Sequence, residues 1–291
     1  MGIRLNRALA AFGPDTRGML DGGRYALLHT RSMEFDDLRP YVAGDEIRDI
    51  DWRATARSGE VLVKRFVTEK HHKILMVCDA GANMSALAPS GEVKRDIAAT
   101  VLGAISLIGM RRTDEIGLVF GDSGGTGDVR PRRGEAHLES MLDQFYTRTL
   151  GDVGPSDIVT QLDYVAASHR RRLLLVVVSD EPDITDRLDE AVRTLADRHE
   201  LLWIAIGDMP AVGGEHGEQE AYDVASGRFV HDGTHLGAAV LAAYRAAEQR
   251  RTRDLDDFFL TRGVPFVRVN ASNEIRSAIV DLTEAYGHAR R

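Results

Sequence analysis

From residue 73 onward, short continuous apolar runs alternate with longer segments of helical periodicity. Unbroken apolar runs of this length are typical of strands that are buried on both faces of a parallel sheet. Strands that alternate with helices are joined by right-handed crossovers, so the pattern predicts an α/β fold with a doubly wound, mainly parallel sheet. The predicted strands span 74–79, 115–120, 129–132, 173–178, 201–206 and 264–269, with a hairpin at 222–230, and the predicted helices span 94–110, 135–146, 156–168, 186–198, 235–261 and 274–288.

The first 70 residues show a different pattern. Clear helical periodicity is absent, and glycine-containing turn signals separate short segments. Alternating residues predict a strand at 61–67, with a further strand at 24–30 and a short helix at 45–52. The extreme N terminus is expected to fray. The sequence therefore predicts a small strand-rich module at 1–70, followed by an α/β domain at 71–291.

Composition places the chain among ordinary globular proteins, since 43% of its 291 residues are hydrophobic and 28% are charged. The single cysteine, Cys78, excludes an internal disulfide and fits a reducing compartment. No apolar run approaches the roughly 18 residues of a membrane helix, and no signal peptide is recognisable. A cytoplasmic protein without an integral membrane segment is therefore predicted. The net charge of −8, without a basic patch, argues against nucleic acid as a partner.

Carboxylates follow three of the predicted strands, at Asp79, Asp180 and Asp208. In open α/β sheets, ligands bind beyond the carboxyl ends of the strands. The loop after the first of these strands adds the side-chain oxygen of Asn83, and an oxygen-only set of this kind suits Mg²⁺. The alternative is that Asp79 and Asp180 only cap the N termini of adjacent helices, where negative charge is favourable.

The order of the predicted elements resembles a von Willebrand factor type A domain, which carries an Asp-x-Ser-x-Ser loop after its first strand. Asp79, Gly81 and Asn83 stand at the three positions of that loop. Ser156 stands where that fold has a threonine, and Asp180 stands where it has its last aspartate. In that fold, a carboxylate of a partner protein completes the shell of the cation. The resemblance implies a degenerate Mg²⁺ site without the hydroxyl that Gly81 lacks, formed by Asp79, Asn83, Ser156 and Asp180.

A motif of interleaved charges and apolar residues precedes the α/β pattern. It reads Glu34-Phe35, Leu38-Arg39-Pro40-Tyr41, Gly44-Asp45 and Arg48-x-Ile50-Asp51-Trp52-Arg53-x-Thr55-Ala56-Arg57. This combination resembles the signature of the bacterial domain-of-unknown-function family DUF58. That family joins the motif to a von Willebrand type A-like domain and is commonly encoded beside MoxR-type AAA+ ATPases. The resemblance implies an adaptor or cofactor that works with such an ATPase on client proteins, in a chaperone-like system.

Four residues of the motif are the candidate partner-binding residues: Arg48, Asp51, Arg53 and Arg57. Arginine and a nearby tryptophan are the residue types that are enriched in binding hot spots. The alternative is an internal lattice of ion pairs, which would involve Asp45, Asp51 and Arg53 above all. Exposed ion pairs contribute less than about 1 kcal/mol each, so a lattice alone would be a weak source of stability.

Together these features favour a non-enzymatic protein-interaction module. The alternative in the enzyme class is a Mg²⁺-dependent phosphohydrolase that uses Asp79 and Asp180, although no general base or positively charged phosphate clamp is recognisable near them. The glycine-rich segment at 121–127 has no Lys-Ser/Thr pair, so it does not match a nucleotide-binding loop. A third hypothesis is a structural scaffold in which the cation site is vestigial.

Overall fold

The computed structural model describes residues 2–12, 33–42, 45, 47–68, 73–210, 221–224, 229–230 and 237–289. The chain divides into two compact units. The first contains the described residues of 1–28 and 73–291, and we call it the α/β unit. The second contains those of 29–72, and we call it the motif unit. The strand predicted at 24–30 lies outside the described residues.

A six-stranded sheet forms the centre of the α/β unit. Its strands are β3 (Lys73–Asp79), β4 (Glu115–Asp122), β5 (Gly125–Arg132), β6 (Leu174–Asp180), β7 (Glu200–Ile206) and β10 (Phe266–Val269). They lie in the order β10-β7-β6-β3-β4-β5, and all neighbours are parallel except β5, which is antiparallel to β4. The doubly wound, mainly parallel sheet that the sequence predicts is thus confirmed, and the strand order reverses between β3 and β6.

Helices cover both faces of this sheet. They are α1 (Ile3–Phe12), α3 (Lys94–Arg111), α4 (Glu135–Leu150), α5 (Ile158–Ser168), α6 (Asp186–Arg198), α7 (Gly237–Thr261) and α8 (Ile275–Ala289). Two-residue strands β8 (Ala221–Tyr222) and β9 (Phe229–Val230) pair as the predicted hairpin. Among the described residues, no helix has the length and apolar character that crossing a membrane would require.

Successive residues of β3 pack into different cores, because side chains alternate across a strand. Met76 and Cys78 belong to a core that includes residues of α1, α3, α4 and α8. Leu75 and Val77 belong to the opposite core, with residues of α5, α6 and α7. Burial on both faces explains why the strand reads as an unbroken apolar run.

Helix α1 corrects the expectation that the N terminus frays. Leu5 and Ala8 are fully buried in the core. The backbone N–H groups of Arg4 and Leu5 donate to the two carboxylate oxygens of Glu139 on α4, at 2.8 and 3.0 Å. A distant carboxylate therefore caps the helix and complements its dipole. As a result, the units differ from the predicted ranges of 1–70 and 71–291, since α1 packs with the second range.

The motif unit contains an antiparallel pair of strands, β1 (Met33–Pro40) and β2 (Leu62–Thr68). The sequence predicts β2 at nearly these bounds but not β1. The helix predicted at 45–52 is instead a 3₁₀ turn (Ile47–Asp49) followed by α2 (Trp52–Ser58). Helix α2 begins where it does because the Asp51 carboxylate accepts hydrogen bonds from the N–H groups of Arg53 and Ala54.

Candidate functional site

The strand-end aspartates lie at the point where the strand order reverses, which is where open α/β sheets bind ligands. Asp79 ends β3 and Asp180 ends the neighbouring strand β6. Asp79 is fully buried, and Asp180 is 8% exposed. The loop after β3 forms a 3₁₀ turn (Ala82–Ser85) that carries Asn83. We call Asp79, Asn83, Ser156 and Asp180 the strand-end site.

Hydrogen bonds connect three members of the strand-end site. The Asn83 backbone N–H donates to the Ser156 hydroxyl oxygen at 3.1 Å. The Asn83 side-chain amide nitrogen donates to Asp180 Oδ2 at 2.5 Å. This nitrogen has no lone pair to offer a metal ion. In this orientation, Asn83 places a donor rather than a ligand against the carboxylate that would hold a cation.

Gly81 packs too closely against the loop that contains Ser156 to carry a side chain. A Cβ atom at this position would lie 2.5 Å from the Cα atom of Ser156 and 2.6 Å from its nitrogen. The neighbouring Ala82 N–H also donates to the Gly154 carbonyl at 3.0 Å, which holds the two loops together. The hydroxyl that this position has in von Willebrand type A domains is therefore excluded by backbone packing and cannot be restored by substitution alone.

Asp79 has one satisfied and one unsatisfied carboxylate oxygen. Oδ1 accepts a hydrogen bond from the Gly81 N–H at 2.9 Å, whereas Oδ2 is buried without a hydrogen-bond partner. Burial, followed by the charge of Asp180, raises the pKa of Asp79 to about 7. An unpaired buried oxygen of this kind favours a cation or a proton. The Asn83 amide donates to Asp180, and Gly81 has no hydroxyl. The arrangement therefore fits two carboxylates that accept hydrogen bonds from N–H groups better than it fits the oxygen shell of Mg²⁺.

Lys94 is a member of this region that the sequence analysis missed. It is the first residue of α3 and is fully buried, and its Nζ atom contacts Asp208 Oδ1 beyond the end of β7. Burial raises the pKa of Asp180, and the Lys94 ammonium opposes this increase. A lysine in the first turn of a helix lies at the positive end of the helix dipole, where cations are disfavoured. A lysine at the predicted start of a helix is therefore the sequence feature that could have indicated a lysine paired with carboxylates.

Arg251 adds a second positive charge near these strand ends. Its guanidinium lies 3.8 Å from Asp208 and 3.6 Å from Glu181, and it donates to the Glu181 carbonyl at 3.1 Å. Glu181 is also paired with Arg268. The sequence analysis recognised no positively charged group near the strand ends, and the structure corrects this. These cations are engaged by carboxylates of the chain itself.

Asp79 and Asp180 do not cap the adjacent helices, which was the alternative to a cation site. Helix α6 is capped by Thr185, whose hydroxyl accepts from the Leu188 N–H at 3.2 Å, rather than by Asp180. Helix α5 is capped by Asp157, which accepts from the Thr160 N–H at 3.2 Å. This leaves Ser156 at the strand-end site. Asp79 accepts its hydrogen bond within its own loop.

Acidic residues of the motif unit stabilise its local structure. Asp45 forms two hydrogen bonds with the Arg39 guanidinium, at 2.6 and 2.8 Å, and accepts from the Val42 N–H at 2.9 Å. Bonding to Arg39 lowers the pKa of Asp45. Asp51 caps α2 and lies 3.9 Å from the Lys64 ammonium. Asp45 and Asp51 therefore make internal contacts of the kind that the lattice interpretation expects.

Arginine and large apolar side chains of the motif unit face outward. Arg53 and Arg57 on α2 are exposed, and Arg57 Nε donates to the Arg53 carbonyl at 3.3 Å. Ala54 is the buried residue of this helix. The Arg48 side chain lies outside the described part of the structure. We define the motif surface as these two arginines together with the exposed apolar residues Tyr41, Val42, Ile47, Trp52 and Val61.

Comparison with known families decides the classification. A family model described as a protein of unknown function, DUF58, matches residues 37–251. The chain belongs to the DUF58 family. The matched range in this DUF58 protein contains most of the signature motif and the whole strand-end site. The mostly parallel sheet with helices on both faces is consistent with the von Willebrand type A/Rossmann-like fold that the sequence predicts.

Individual relatives of this DUF58 protein are distant. Uncharacterised proteins of Mycobacterium tuberculosis and Mycobacterium bovis are each 27% identical over 202 residues, which cover 67% of this chain and 63% of theirs. The chain thus spans less than two thirds of the length of these relatives. Among solved structures, an aerotolerance-related membrane protein from Bacteroides fragilis aligns with 14% identity and a TM-score of 0.46, over 73% of this chain and 98% of that one. The SpRpn10 VWA domain aligns with 12% identity and a TM-score of 0.38, over 48% and 77%.

Proposed function

We propose that this DUF58 protein is a non-enzymatic protein-interaction module that serves as an adaptor for a MoxR-type AAA+ ATPase. The observation that carries the proposal is the motif surface. Trp52 is 64% exposed and Ile47 is 70% exposed, on a unit whose acidic residues hold its own fold. Clustered exposed apolar residues beside arginines are typical of protein-binding surfaces.

Backbone contacts bring the parts of the motif surface together. The Tyr41 N–H donates to the Val61 carbonyl at 2.9 Å, and the Asp51 N–H donates to the Leu62 carbonyl at 2.9 Å. The apolar residues before α2 and the strand after it are therefore neighbours. Trp52 and Arg53 begin the short helix at this junction. A partner that covers this junction would bury aromatic and guanidinium groups together, a combination that binding hot spots favour.

The contacts of the cations near the strand-end site argue against the catalytic alternative. The alternative, a Mg²⁺-dependent phosphohydrolase using Asp79 and Asp180, gains some support because a carboxyl with a pKa of about 7 suits a general acid. Against it, Lys94 and Arg251 are engaged by carboxylates, so they offer no clear clamp for a phosphate. Turnover of a generic phosphoester that is lost in Asp180→Ala would favour the enzyme.

A cation-assisted contact is the alternative for the strand-end site, and the packing of Gly81 and the orientation of Asn83 argue against it. Mg²⁺ would be held by the strand-end site, and a partner's carboxylate would complete its shell. This would require rotation of the Asn83 amide, so that its carbonyl oxygen replaces the nitrogen beside Asp180. The scaffold hypothesis, in which the site is vestigial, does not require that rotation. Binding that withstands a chelator would favour the scaffold interpretation of this site without affecting the motif surface.

The test is binding of the full chain to a purified MoxR-type ATPase from the same organism, measured by biolayer interferometry. We expect Trp52→Ala and the double change Arg53→Glu/Arg57→Glu each to weaken binding at least about tenfold, as hot-spot residues do. Arg193→Glu is the matched control, because Arg193 is an exposed helical arginine of the α/β unit. Unchanged affinity in correctly folded motif variants, or equal loss in the control, would refute the proposal.

A further inference from the structure

The carboxylates beyond β6 and β7 have a counter-ion that belongs to the chain. The two strands are parallel neighbours in which Asp180 is paired with Ile206, so Asp208 lies just beyond the same edge of the sheet. Lys94 reaches this edge from the first turn of α3, and its Nζ atom contacts Asp208. The lysine is fully buried, whereas Asp208 is 42% exposed.

We propose that the Lys94 ammonium, together with the Asn83 amide, takes the place of a divalent cation at the strand-end carboxylates, so that this site is independent of metal. The ammonium balances the charge of Asp180 and Asp208. The Asn83 amide donates to Oδ2 of Asp180, so one oxygen of this carboxylate already has a partner from the chain. The inference concerns the charge balance of the site and does not depend on any partner of the motif surface.

Burial of Lys94 is costly without these carboxylates. A buried ammonium is tolerated when it is paired and hydrogen-bonded. The dipole of α3 makes the position worse, because the N terminus of a helix repels a positive charge. The carboxylates of Asp208 and Asp180 are thus the groups that make a lysine acceptable at this point. A metal ion would remove part of that compensation.

The charges around the site make a divalent cation and Lys94 competitors. Negative groups are Asp79, Asp180, Asp208 and Glu181, and positive groups are Lys94, Arg251 and Arg268. A divalent ion at Asp180 would lie in the field of the buried Lys94 ammonium, which already acts on that carboxylate, and like charges in a buried site repel strongly.

The first experiment measures metal binding directly. The full chain, freed of metal with EDTA, is titrated with MgCl₂ and MnCl₂ by isothermal titration calorimetry. We expect no saturable binding that depends on Asp180, so the wild type and Asp180→Asn should give the same titration. Saturable binding in the wild type that weakens tenfold or more in Asp180→Asn would overturn the proposal. Binding that persists in that variant lies elsewhere and agrees with it.

The second experiment measures the interaction of Lys94 with Asp208. A double-mutant cycle combines Lys94→Met, which keeps the aliphatic stem, with Asp208→Asn, and follows urea unfolding. We expect coupling, such that the unfolding constant of the double variant is at least about tenfold lower than the product of the single effects predicts. Lys73→Met is the matched control, because Lys73 forms an exposed pair with Glu115 at 3.6 Å. Additive effects would overturn the role of Lys94. Should Lys94→Met fail to fold, the titration decides.

Discussion

The two tryptophans of this chain show how the two units differ. Trp203 on β7 is fully buried and packs against Phe259, with ring centroids 4.9 Å apart and ring planes tilted by 45°. Its Nε1 donates to the Ser179 hydroxyl at 3.1 Å. Trp52 begins α2 with most of its surface exposed. The α/β unit thus buries this large aromatic side chain and satisfies its N–H group internally. In the motif unit, by contrast, most of the Trp52 side chain is exposed to solvent, although a large aromatic ring is costly to expose.

Charged residues repeat this difference. Lys94 of the α/β unit is fully buried against carboxylates, whereas Arg53 and Arg57 of the motif unit are exposed on a short helix. The difference indicates that the strand-end region is mainly a set of internal interactions. Our proposal therefore assigns partner recognition to the motif surface. The following predictions test this division, beginning with the largest expected effect.

Replacement of Trp203 should destabilise the protein most. Trp203→Ala removes a buried ring and leaves the Ser179 hydroxyl without its donor, so we expect a loss of about 3–5 kcal/mol in the free energy of unfolding. Urea denaturation followed by circular dichroism measures the loss. A loss below about 1 kcal/mol would contradict the interpretation of Trp203 as a core residue.

Restoring the hydroxyl that von Willebrand type A domains have should harm this protein. In Gly81→Ser, the added Cβ meets the backbone of Ser156, and we expect a loss of about 2–3 kcal/mol. Gly125→Ser is the control, because a Cβ there has no heavy atom within 4 Å. If Gly81→Ser were as stable as the control and gained saturable Mg²⁺ binding, the close packing of the two loops would be wrong.

Asp79 should make stability depend on pH. Its pKa is about 7 in the folded chain and near 4 when unfolded, so its contribution is fully present below pH 4 and is lost as the pH rises to 7. Asp79→Asn removes this dependence. We expect the variant to gain up to about 4 kcal/mol relative to the wild type between pH 4 and pH 8, because three pKa units correspond to that free energy.

The difference between wild type and variant isolates Asp79 from groups of opposite sign. His199, for example, has a pKa that burial lowers to about 4, so its contribution is lost as the pH falls. Urea unfolding at several pH values measures both proteins. Parallel pH profiles for wild type and Asp79→Asn would contradict the increase in the pKa of Asp79 that burial causes.

Replacement of Trp52 should have the smallest effect on stability. Because most of its ring is exposed, we expect Trp52→Ala to change the free energy of unfolding by less than about 0.5 kcal/mol. The same denaturation experiment checks it beside Trp203→Ala. A loss of 2 kcal/mol or more would mean that Trp52 supports the fold, and the motif surface would lose its main candidate anchor.

The sequence was most informative where interactions are local or repeat along an element. Continuous apolar runs predict β3, β6 and β7 nearly to the residue, and the strand order then places Asp79 beside Asp180. Lys94 was not predictable in the same way, because its burial depends on carboxylates more than 80 residues away. Lys94 and Asp208 are 114 residues apart in the sequence.

Strand β1 and helix α1 escaped prediction for related reasons. Strand β1 lacks clear alternation, and its register shifts between Phe35 and Asp37, so the ladder with β2 defines it more than its own pattern does. Helix α1 depends on Glu139, which is 134 and 135 residues away from the groups that it caps. Local propensity does not contain such contacts.

The docking of α1 also changes how the chain can be divided. The motif unit is an insertion, since the chain enters it from one part of the α/β unit and returns to another. A truncated protein that begins at Lys73 would therefore lose α1 as well. A Cβ atom at Gly103 of α3 would lie 2.5 Å from the Cβ atom of Ala8, so α1 packs directly against α3 at this point. Loss of α1 would therefore expose this part of the core. Isolating the α/β unit for study would require removal of the insertion and rejoining of the chain around it.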